Sequence, residues 1–93
     1  MEQKFIAAWR QAREKAAALG ARVRPVEDGD ALKQAHRALS GSRLSDGFTV
    51  LADRGHLEYS LEALAVDRRF TGLFTDEEAN EALTRLLEAG YRF

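Results

Sequence analysis

Thr75-Asp76-Glu77-Glu78-Ala79-Asn80-Glu81-Ala82-Leu83-Thr84-Arg85-Leu86-Leu87-Glu88-Ala89-Gly90 is the stretch on which the fold class turns. Thr75 and Glu78 have the spacing of a capping box, in which each side chain bonds the other residue's backbone N–H, and the acids at 76, 77 and 78 sit in the positive first turn. The apolar residues then repeat with the helical period, and Gly90 suits a left-handed end. The reading is a helix running to Ala89 with Ala79, Ala82, Leu83, Leu86 and Leu87 on its buried face. Phe74 is placed to staple back onto Ala79, and Tyr91 and Phe93 to fold back as apolar plugs.

Outward from this helix the same period recurs. Leu57, Leu61, Leu64 and Ala65 mark a helix starting near 57. The alternation over 57–61 also fits a short extended stretch with Ser60 as the N-cap, and continuous helix is the preferred reading. Leu44, Phe48 and Leu51 form a stripe over 44–54, ended by Gly55. Asp30 is placed to cap a short helix with Leu32, Ala35, His36 and Leu39 on one face. The first helix covers about residues 2–19, with Phe5, Trp9, Ala12, Ala16 and Leu19 at spacings of four, three, four and three before Gly20. That narrow seam is what one helix offers another.

Composition agrees. Ala occurs 16 times and Leu 12 times, against 9 for Val, Ile and Thr together, which favours helix over strand. The expectation is an all-α chain, a single helical domain over 1–93 built as a compact bundle of four to five short helices. A chain of 93 residues has room for one such unit. With no cysteine, disulfides, thiolate metal sites and thiol nucleophiles are excluded. No long apolar run suits a membrane span, so a cytoplasmic protein without a membrane partner is expected.

Candidate chemistry is sparse. His56 has Asp53 and Glu58 nearby, yet the spacing reads as a polar turn after Gly55, and no metal site or cofactor is expected. His36 reads as a hydrogen-bonded histidine at the edge of the core. Glu58 and Glu62 share a helix face and read as solvated, and the serines lie in no nucleophile elbow. These features predict a protein that is not an enzyme.

Charge is uneven. Residues 1–25 carry a net +4 and the other 68 carry −5. Two binding readings follow. In the leading one the chain is a protein-binding or self-associating module, using Phe5 and Trp9 on the first seam and Glu77, Glu78 and Glu81 on the last helix. In the alternative, Arg10, Arg13, Lys15 and Arg22 of the basic amino-terminal segment meet nucleic acid. Carboxylates at 58, 62, 76, 77, 78 and 81 disfavour a nucleic-acid surface in the carboxy-terminal half. The basic and acidic ends are also complementary enough to pair with each other.

Overall fold

A computed structural model describes residues 2–27, 29–41 and 43–91. Five α-helices follow in order: α1 (Glu2–Ala18), α2 (Ala31–Ser40), α3 (Phe48–Arg54), α4 (Leu61–Ala65) and α5 (Asp76–Glu88). Single 3₁₀ turns lie at Leu57–Tyr59 and Thr71–Leu73, and the described residues contain no strand, in line with the all-α expectation. The strongest local signal acts where it was read. Glu78 N–H donates to Thr75 Oγ1 at 3.1 Å and Thr75 N–H donates to Glu78 Oε1 at 2.8 Å, completing the box that starts α5. The chain leaves α1 and α5 through Gly20 and Gly90 at φ 93° and 85°.

Three boundaries differ from the sequence reading. Asp30 precedes α2 without a side-chain cap bond. α3 begins at Phe48, leaving Leu44 exposed, because the chain turns at Gly47 with φ 77°. A Cβ there would stand 2.9 Å from Ala21 Cβ and 3.0 Å from Val23 Cγ1, so both the backbone angle and the close approach of the connector require glycine. The helix expected from Leu57 is broken at Ser60, whose φ of −81° and ψ of 157° are extended. Ser60 Oγ donates to Leu57 O at 2.7 Å and accepts from Ala63 N–H at 3.1 Å, closing the 3₁₀ turn and capping α4 at once.

The α1 seam is the spine of the core. Phe5 stacks edge-on against Phe70 and Phe74 at centroid distances of 5.5 and 5.4 Å and lies 5.6 Å from Trp9. These rings pack with Ala12, Ala35, Leu39, Leu61, Leu64 and Ala82. A second cluster joins Ala16 to Phe48, Leu51, Leu57 and Leu86, with half-buried Tyr91 against it. Phe93 lies outside the described residues. α4 packs along α5, and α1 leans on α2, α4 and the first 3₁₀ turn. The Cα radius of gyration is 11.8 Å, close to the ~12 Å expected at this length.

α5 is rotated from the expected orientation. Ala82 and Leu86 are buried, but Leu83 and Leu87 are 36% and 56% exposed, and Arg85 faces inward instead.

Candidate functional site

The inward turn of α5 is explained by what Arg85 meets. Its guanidinium is 3% exposed and donates from Nη1 to Glu62 Oε2 at 3.1 Å, where the Glu62 side chain is 0% exposed. Further bonds run from Nη1 to Ala38 O at 3.1 Å, from Nη2 to Gly41 O at 2.7 Å and from Nε to Glu81 Oε2 at 2.7 Å. Glu62 in turn accepts Ser45 N–H at 3.0 Å and Ser45 Oγ–H at 2.5 Å. One buried ion pair therefore ties the end of α2, the segment leading into α3, α4 and α5 together. Burying two charges is tolerable only when their remaining hydrogen-bonding groups are met, as they are here. The sequence reading placed Glu62 on a solvated face, and this is a correction. The available signal was Arg85 lying three residues after Ala82 and one before Leu86, inside the arc that the apolar period buries.

The residues expected to meet a partner separate into two groups. Phe5 and Trp9 are 0% and 1% exposed at the centre of the aromatic cluster, so they hold the core and present nothing to a partner. Their large apolar rings gain more from enclosure within a small domain than a surface seam could give. On α5, Glu77 is exposed and Glu81 is half-buried and bonded to Arg85. Glu78 is corrected from the acidic surface, being engaged twice, by the Thr75 cap and by His36 Nδ1 at 2.6 Å from Oε2. Burial alone would raise the Glu78 carboxyl, but the bonds from Thr75 N–H and the His36 ring outweigh it and hold the group below its ordinary value.

What α5 leaves outside is two adjacent rows. Asp76, Asn80, Leu83 and Leu87 form one, and Glu77, Glu81, Thr84 and Glu88 form the other. The result is an exposed leucine edge beside an acidic edge.

The basic amino-terminal residues are likewise divided. Arg10, Lys15 and Arg22 are exposed, and Lys15 Nζ stands 5.3 Å above the Tyr59 ring. Arg13 turns inward. Its side chain is 11% exposed, its guanidinium lies 4.8 Å over the Trp9 ring, and Nη1 is 3.8 Å from Asp46 Oδ2. Asp46 also takes Arg24, through Nε at 3.3 Å. These pairings, not contacts with the acidic α5, are where Arg13 and Arg24 direct their charge. Arg13 Nε and Nη1 are buried and have no hydrogen-bond partner among the described residues. Burial lowers the Arg13 pKa from its ordinary value, a shift that Asp46 counters and Arg24 reinforces.

His36 packs edge-on to Phe74 at 5.5 Å as well as meeting Glu78. His56 lies 3.0 Å from Glu58 Oε2 and stacks on Tyr59. Among the described residues no group of three or more His, Asp or Glu side chains is arranged to hold a metal ion, and no helix is long and apolar enough to cross a membrane. Comparison with protein-family models, with curated proteins and with solved structures returned no match.

Proposed function

We propose that this chain is a non-enzymatic protein-binding module of the cytoplasm whose contact surface is the outer face of α5. The observation that carries the reading is the pair of rows on that helix: Leu83 and Leu87, left in solvent, directly beside Glu77, Glu81 and Glu88. Leucines four residues apart on a helix give a knob for an apolar groove, and the acidic row fixes the sign of its rim. Two copies of α5 placed face to face would bring their carboxylates together, so the occupant is a different protein with apolar positions bordered by Lys or Arg. The nucleic-acid alternative keeps Arg10, Lys15 and Arg22 but loses Arg13 to the interior.

The test is affinity capture from nuclease-treated lysate of the source cell, with the wild type and the Leu83→Ser/Leu87→Ser variant side by side. The expected result is a stoichiometric protein retained by the wild type, lost by the variant, and cross-linking to α5 through an apolar segment flanked by basic residues. Retention by the variant, or material that disappears with nuclease, would reject the reading.

A further inference from the structure

The acidic row of α5 is not uniform. Glu81 Oε2 accepts from Arg85 Nε at 2.7 Å, and the Arg85 side chain is 3% exposed, so this carboxylate is already answered from inside the fold. Glu77 and Glu88 are exposed, and neither side chain has an ion-pair or hydrogen-bond partner among the described residues. Thr84, the other member of the row, is exposed and uncharged. The unanswered charge therefore sits at the two ends of the helix, with Asp76 beside Glu77. Eleven residues at about 1.5 Å each separate Glu77 from Glu88 by about 16 Å along the axis, and they complete almost three full turns, so both lie on one side of the helix. Leu83 and Leu87 fall between the two on the neighbouring row.

We infer that the segment seated on α5 is a helix of the partner protein with two Lys or Arg side chains about three turns apart and apolar residues between them. This rests on the reading of α5 as the contact surface and adds the spacing by which the partner is recognised. Leu83 and Leu87, four residues apart, form a ridge of the kind that packs against a second helix. A shallow crossing of about 20° keeps that helix over both ends of the acidic row. Two helices lying so nearly side by side share the same rise, and the charges of one are then matched by the same interval on the other. A cation only seven residues from the one at Glu88 would reach Glu81 instead of Glu77, and there it would share the carboxylate with Arg85. The negative end of the helix dipole adds to the attraction at Glu88, and Asp76 adds to it at Glu77.

The test is an NMR titration of the full chain with two hydrocarbon-stapled helical peptides of identical composition and charge. Each carries two leucines between two lysines, and the lysines are eleven residues apart in one peptide and seven in the other. The expected result is saturable shifts of the Leu83 and Leu87 methyl signals with both, and a dissociation constant about threefold lower for the eleven-residue spacing. Glu77→Gln should erase that preference while both peptides still move the leucine methyls. Equal affinities for the wild type, or a preference that survives Glu77→Gln, would overturn the spacing and leave the contact surface standing. If neither peptide moves the leucine methyls, the contact surface and the spacing fall together.

Discussion

Arg85 and Arg13 are both largely enclosed, and the fold treats them in opposite ways. Arg85 has a buried carboxylate, two backbone carbonyls and Glu81 as acceptors. Arg13 has an aromatic face beneath it and a carboxylate too distant to bond, and two of its nitrogens have no hydrogen-bond partner among the described residues. The first arginine is consumed by the architecture. The second is enclosed over an aromatic ring, with no hydrogen-bond acceptor for these nitrogens supplied from within the described residues. Enclosure of a charge is therefore no guide to its role until its donors are accounted for one by one.

The comparison can be broken most sharply at the satisfied end. Glu62→Gln removes the buried carboxylate of Arg85 and leaves only the half-exposed Glu81 to offset its charge, so it should cost about 3 kcal/mol of stability, read from urea unfolding. Glu62→Leu/Arg85→Met removes both charges and should lose clearly less than Glu62→Gln. A double variant as unstable as the single one would mean that packing, not charge pairing, holds the two helices. Gly47→Ala comes next. It forces a left-handed backbone on alanine and pushes Ala21 and Val23 away, so a loss of about 1–3 kcal/mol is expected, together with a displaced connector and altered Arg24 resonances.

Smaller effects sharpen the account around α5. Thr75→Ala should lower stability by about 1 kcal/mol through loss of the cap. Glu78 adds a pH dependence of known sign. Its folded pKa lies below the unfolded one, so its contribution is complete above the ordinary glutamate value, about 4.3, and is lost as pH falls through the folded value. Urea midpoints between pH 6 and pH 3 should decline less steeply in Glu78→Gln than in the wild type. Equal slopes would show that the His36 and Thr75 bonds leave the carboxyl unperturbed.

How much of this was legible in the sequence follows from how far apart the interacting groups lie. The capping box joins residues three positions apart, and the α1 seam repeats every three or four, so local spacing identified both. Glu62 and Arg85 are 23 residues apart and on different helices, and nothing in either segment names the other. Missing that pair had a second consequence. With Arg85 left off the buried face, the apolar period placed Leu83 and Leu87 in the core, whereas in the fold Arg85 faces inward and they lie outside. The Ser60 break was visible as a competing pattern because the serine serves residues three positions away on either side. The sharing of Asp46 by Arg13 and Arg24 was not, since the three come from separate segments and meet only in the folded chain.

Equilibrium urea unfolding of Arg85→Met and Arg13→Met, measured together in a buffer free of phosphate and other multivalent anions, tests the contrast most directly. Methionine keeps much of the apolar stem in each case and removes only the guanidinium. The account predicts a loss of about 3–5 kcal/mol at position 85 and a change within about 1 kcal/mol at position 13. Equal losses at the two positions would contradict it, because Arg13 would then be as fully engaged in holding the fold as Arg85.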